Sequence, residues 1–76
     1  MMKITLREML ELISEYTNVE VNIDKMTIPY STEVIYVGMC YEALEELSEK
    51  QLNLLVIFID GDWDGSRIQI YLYPPK

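Results

Sequence analysis

The run Leu54-Leu55-Val56-Ile57-Phe58-Ile59-Asp60 leads through Gly61-Asp62-Trp63-Asp64-Gly65 into Arg67-Ile68-Gln69-Ile70-Tyr71-Leu72-Tyr73, and these residues decide the reading of the fold. Two apolar runs of strand length flank a Gly- and Asp-rich turn, which is the pattern of a β-hairpin. The first run is apolar on both faces, so both sides of its sheet are expected to be covered. The second run alternates, with Ile68, Ile70 and Leu72 on one face and Tyr71 and Tyr73 on the other. Pro74-Pro75 stops the hairpin.

Upstream of this hairpin, Cys40 to Lys50 returns to helical spacing. Cys40, Ala43, Leu44 and Leu47 form an apolar stripe, and Glu42, Glu45, Glu46 and Glu49 face away from it. Gln51 to Asn53 turns the chain into the Leu54 strand. Earlier still, Val19 to Asp24 alternates as a half-buried strand, Lys25 to Ser31 with Pro29 is a loop, and Thr32 to Gly38 is a second strand with Val34, Ile35, Tyr36 and Val37 apolar on both sides. Thr5-Leu6-Arg7-Glu8 is a capping-box pattern. Leu6, Met9, Leu10 and Ile13 follow it at helical spacing, which predicts a helix over 5–16 ended by Thr17-Asn18.

The order is therefore α-β-β-α-β-β in a single α+β domain, 1–76. It predicts a four-stranded antiparallel sheet with two helices on one face. Helix plus hairpin occurs twice, without a residue-level repeat.

Half of the 76 residues are apolar and a quarter are charged, the balance of a globular chain. A domain this small buries only roughly 60–65% of the surface its unfolded chain exposes. It can hardly cover both sides of a sheet alone, which predicts a partner, with a homodimer through the free sheet face as the leading expectation. The net charge of −7 argues against direct binding to nucleic acid or an anionic membrane and permits a basic protein partner.

Cys40 is the single cysteine and there is no histidine. That leaves no disulfide framework, no Cys/His metal centre and no Cys-His or Ser-His nucleophile. On its apolar stripe Cys40 reads as a buried structural thiol. No cofactor is implied. No segment has the length and apolarity of a signal peptide or a membrane span, so a cytoplasmic location is expected.

Four groups of residues are candidates for function. Asp60, Asp62 and Asp64, with Gly65, resemble the start of an EF-hand calcium loop. Its twelfth position calls for Glu and is Tyr71 here, and its flanks read as strands, so a polar turn is the preferred reading and calcium the alternative. Trp63 at the tip of that turn is a candidate partner anchor. Glu8, Glu11 and Glu15 on the first helix and Glu42, Glu45, Glu46 and Glu49 on the second predict an acidic surface able to imitate DNA phosphates in a basic groove. Like charges four apart do not help a helix, though a solvated face explains them as well. Finally, Tyr36, Tyr71 and Tyr73 mark the sheet face the helices do not need, about 400 Å² across four strands. Tyrosine suits an interface because it buries area and keeps a hydroxyl.

Thr5-Leu6-Arg7-Glu8-Met9-Leu10-Glu11-Leu12-Ile13, the Val19-Glu20-Val21 strand, the acidic second helix and the terminal hairpin make the chain similar to small acidic proteins of gut-bacterial genomes, prophages and mobile elements. In such proteins the final turn is a short Asp-Gly type, and here it is the longer Gly61–Gly65. The resemblance implies a bacterial or phage origin and no enzyme activity. Some proteins of such loci inhibit nucleases or other host defence proteins, so inhibition is among the expectations. The sequence thus predicts a non-enzymatic interaction module or inhibitor. A calcium-binding domain and a structural subunit of an assembly are the alternatives, and an enzyme is the least favoured class.

Overall fold

The computed structural model describes residues 3–61 and 65–75. Among them are α1 (Leu6–Leu12), β1 (Asn18–Asp24), β2 (Thr32–Met39), α2 (Cys40–Glu46), α3 (Glu49–Leu52), β3 (Val56–Gly61) and β4 (Ile68–Leu72). The class is α+β, and both hairpins form as the sequence predicts. The sheet is not purely antiparallel. Its order is β2-β1-β4-β3, and the central pair β1·β4 runs parallel. Burial explains the order. β1 and β4 carry Val19, Val21, Ile70 and Leu72, all fully buried, and occupy the centre. The chain after β2 crosses to the far edge as α2 and α3, lays down β3 there, and returns inward as β4. A two-fold arrangement would put equivalent strands of the two hairpins at the centre. Here they are the first strand of one and the second of the other, so the helix-plus-hairpin echo is not a structural repeat.

The doubly apolar run that opened the reading lies at an edge. Val56 is buried, but Phe58 and Ile59 are close to half exposed at 44% and 49%. Its first residues are used differently from a plain strand. Val56 donates its amide to Ile4 O at 2.8 Å, Leu6 donates to Leu54 O at 2.9 Å, and Thr5 bridges Leu55. The segment before α1 thus covers the start of the outer edge of β3, which satisfies backbone groups an edge strand leaves unpaired.

Register divides the sheet into two faces. Val19, Val21 and Ile23 stand beside Ile68, Ile70 and Leu72 on the core face; Glu20 and Asn22 stand beside Gln69 and Tyr71 on the outer face. The buried cluster joins the core-face residues to Leu6, Met9 and Leu10 of α1, Cys40 and Ala43 of α2, Leu47, and Leu52 of α3. Burial of such side chains stabilises by roughly 1.5–3 kcal/mol each.

Both predicted helices end early. α1 begins with the predicted capping box: Thr5 Oγ1 accepts from the Glu8 amide at 3.2 Å, and Glu8 Oε1 accepts from the Thr5 amide at 3.0 Å. It stops at Leu12, with Ile13 extended. The reason lies at α2, whose N-cap Met39 offers no side-chain cap. The Cys40 and Tyr41 amides donate instead to Thr17 O at 2.9 Å and Glu15 O at 3.1 Å. Residues 13–17 leave the helix and supply the carbonyls that the start of α2 needs. The second helix breaks at Leu47. Ser48 and Gln51 form a new capping box that starts α3, so Glu49 belongs to a separate turn of helix.

Candidate partner-binding surfaces

The acidic residues that the sequence grouped together are divided among three roles. Two are engaged within the chain. The Glu8 carboxylate is bound into the α1 cap, and those hydrogen bonds hold its pKa below the ordinary value. Glu49 accepts from Arg7 at 2.7 Å and ties α3 to α1. Glu42 and Glu46 lie near Tyr36, whose phenol is pushed up first by burial and then by these two carboxylates. Glu11, Glu15 and Glu45 come together elsewhere, around a groove between α1 and α2.

That groove has a volume of about 420 Å³. Ile13 and Leu44 supply its apolar walls over the buried Leu10 and Cys40, Tyr41 flanks it, and Glu11, Glu15 and Glu45 are its charged residues. Among the described residues no lysine or arginine lines it. The early end of α1 creates it. Had the helix continued to residue 16, Glu15 O would not reach the Tyr41 amide, and the Glu15 side chain would project elsewhere. Beside it, Tyr16 meets Tyr41 edge to face with ring centroids 5.9 Å apart. Tyr16 is 72% exposed, so apolar surface continues beside Tyr41.

Cys40 sits at the groove's base. It is buried, and its Sγ donates to Leu10 O at 3.2 Å. Burial, then the nearby Glu15 carboxylate, pushes the thiol pKa up and keeps it protonated. This is the structural thiol the stripe predicts, linking the end of α1 to the start of α2.

The predicted tyrosine face is split. Tyr71 lies on the outer face, stacked on Phe58 with centroids 4.4 Å apart and planes 15° from parallel. Tyr73, one residue past β4, is half-buried and donates its amide to Leu55 O at 2.9 Å. Tyr36 stands on the core side instead: it pairs with Val21 and packs against the buried cluster. A bulge explains the change, because register shifts between Val21 and Asn22 and leaves Ile35 as an extra residue in β2. The outer face is mixed in character. Val34, Val37 and Phe58 are exposed, while Arg67 and Asn22 both reach Glu20 at 3.3 Å in its middle.

Asp62, Trp63 and Asp64, and with them the calcium loop and the tryptophan anchor, lie outside the described residues. Asp60 is exposed, and its Oδ1 accepts from the Gly61 amide at 2.9 Å. Gly65 has φ +73°, the left-handed conformation that such a turn reserves for glycine. Among the described residues no three acidic or sulfur side chains are grouped to hold a metal. No described helix is long and apolar enough to cross a membrane.

Sequence alone did not single out the apolar loop between β1 and β2. Met26, Ile28 and Tyr30 are 61%, 102% and 63% exposed there. The loop is held by Asp24 Oδ1 accepting from the Met26 amide at 2.7 Å and by the Lys25 amide donating to Ser31 O at 3.0 Å. The signal was present as three large apolar residues in a segment that Pro29 marks as a loop.

Comparison of the chain with protein-family models, with curated proteins and with solved structures returned no match.

Proposed function

We propose that this chain is a non-enzymatic protein-interaction module, and that it binds a basic, amphipathic segment of its partner in the groove between α1 and α2. One observation carries the reading: an apolar groove whose charged lining groups, among the described residues, are Glu11, Glu15 and Glu45 alone. Apolar side chains of the partner would enter against Ile13 and Leu44, above the buried Leu10, and its Lys or Arg side chains would meet the carboxylates. This is helix-in-groove recognition with charge complementarity fixing partner choice. The reading is narrower than imitation of DNA by the whole acidic surface. Glu8 and Glu49 are engaged internally, and Glu42 and Glu46 lie toward Tyr36, so the groove residues are favoured as the binding set. Inhibition of a basic partner is one use of such binding.

The test is a titration of isotope-labelled protein with a designed amphipathic helix bearing Lys on one face and Leu on the other. A peptide with the same Leu pattern and Glu for Lys is the control. Amide shifts should concentrate at Leu10, Ile13, Cys40 and Leu44 with the basic peptide alone, and should vanish in Glu11→Lys/Glu45→Lys. Shifts elsewhere, or equal response to both peptides, would exclude the groove.

A further inference from the structure

The two edges of the sheet are treated differently. The start of the outer edge of β3 is covered by residues 4–6. No described segment pairs with the outer edge of β2 along its eight residues. Proteins guard such an edge with Lys, Pro, a β-bulge or inward-pointing charge. Thr32-Glu33-Val34-Ile35-Tyr36-Val37-Gly38-Met39 has neither Lys nor Pro; its guards are the Ile35 bulge and one charge, Glu33, on the core face, and a second copy has to accommodate both. Val34 and Val37 are 52% and 55% exposed beside that edge.

We infer that β2 pairs antiparallel with β2 of a second copy, about a two-fold axis perpendicular to the sheet between Ile35 and Tyr36, to give a continuous eight-stranded sheet. A regular strand can pair with its own copy only in registers centred on a residue; the bulge is what lets all eight residues of β2 overlap with faces matched. In a regular strand, residues three apart point to opposite faces. The extra residue Ile35 returns Val34 to the face of Val37, since they pair with Asn22 and Glu20 on the outer face. Full overlap of the two strands then sets Thr32 opposite Met39, Glu33 opposite Gly38 and Val34 opposite Val37. Thr32 and Met39 share the outer face, opposite Asp24 and Asn18; Glu33 and Gly38 share the core face, opposite Ile23 and Val19. Every such pair matches in face, and Glu33 meets glycine rather than another carboxylate. A parallel self-pairing would instead stack Glu33 on Glu33.

The antiparallel pairing also carries the exposed Tyr30 of one copy toward the exposed Tyr41 end of the other. It joins edges, so it differs from a dimer made by stacking outer faces.

Sedimentation from micromolar to millimolar concentration tests the pairing, using four variants whose folds are checked by circular dichroism. Wild type should shift from 9.0 kDa toward twice that mass. Val34→Glu and Val37→Lys should each raise the dissociation constant at least tenfold. Combined in one chain they should restore it, because each Glu at 34 then faces a Lys at 37 of the other copy, at the wild-type net charge. Phe58→Lys, on the outer face of the opposite edge strand, should leave the dimer unchanged. A monomer at every concentration overturns the inference. So does a double variant no tighter than the single ones, or loss of the dimer in Phe58→Lys.

Discussion

Gly38→Ala tests how the end of β2 is held to the core. Gly38 lies opposite Val19 with φ +157°, and the Tyr36 ring folds back across it to donate its hydroxyl to Met39 O at 2.8 Å. A Cβ at position 38 would stand 2.7 Å from the Tyr36 Oη and 3.1 Å from its Cζ. The phenol must therefore swing away and lose its hydrogen bond, a net cost of about 1 kcal/mol. Holding a non-glycine residue at that φ adds about 1 kcal/mol more. A total of about 2 kcal/mol lowers the melting temperature of a domain this size by roughly 8–16 °C. Tyr36→Phe alone forfeits the hydrogen bond, about 1 kcal/mol. In the double variant there is no Oη to collide and no bond left to lose, so its cost should fall short of the sum by about 1 kcal/mol. Urea unfolding of the four proteins, followed by far-ultraviolet circular dichroism, measures this. Additive costs, or a neutral Gly38→Ala, would refute the account of how Tyr36 crosses the glycine.

Three further outcomes follow from the packing. Leu10→Ala, which empties part of the buried cluster beneath the groove, should cost about 2–5 kcal/mol in the same urea assay; a smaller loss would mean that α1 is not seated as described. Cys40 and Tyr36 hold their protons more tightly when folded, so their contribution is complete below the unfolded values of 9.0 and 10.0 and is lost as pH rises through the higher folded values. Stability measured across the alkaline range should therefore decline above about pH 9, and a flat profile would contradict both environments. Glu8 has the opposite sign: its lowered folded pKa gives a contribution present above 4.5 that disappears as pH falls through the folded value. Glu8→Gln should remove that acid limb, while Thr5→Ala, which keeps the backbone amide that contributes most, should only reduce it; a limb unchanged in Glu8→Gln would place its source elsewhere.

The sequence made some of this architecture legible. Period-two alternation in Val19–Asp24 and Ile68–Tyr73 identifies strands and faces, and Thr5-x-x-Glu8 locates the start of α1. Strand neighbours are another matter. Alternation tells which side chains share a face and nothing about which strand lies alongside, so the parallel β1·β4 pair was not readable. Leu54–Ile59 left its place in the sheet open for a related reason. A strand apolar on both faces says that both sides of its sheet are covered and not where in the sheet it lies; here an edge strand carries Phe58 to stack on Tyr71 outside and Ile59 beside Ile70 inside. The break before α3 was written in Ser48-x-x-Gln51, a capping box as clear as the first. The groove was not written in this way. Whether Glu15 joins Glu11 and Glu45 depends on α1 ending at Leu12, and that ending is set by amides of α2 some 25 residues away in the chain. The Ile35 bulge likewise arises from pairing with β1 and moves Tyr36 to the core side, where a regular strand would not place both it and Ile35.

The most direct test of the groove is an unbiased one: selection of short peptides from a displayed random library on the wild-type protein, with Glu11→Lys/Glu45→Lys as the counter-target. The enriched sequences should combine Lys or Arg with Leu, Ile or Phe at helical spacing, lose binding to the counter-target, and weaken as salt is raised. Enriched peptides that bind both proteins equally, or that carry no basic residues, would contradict binding in the groove.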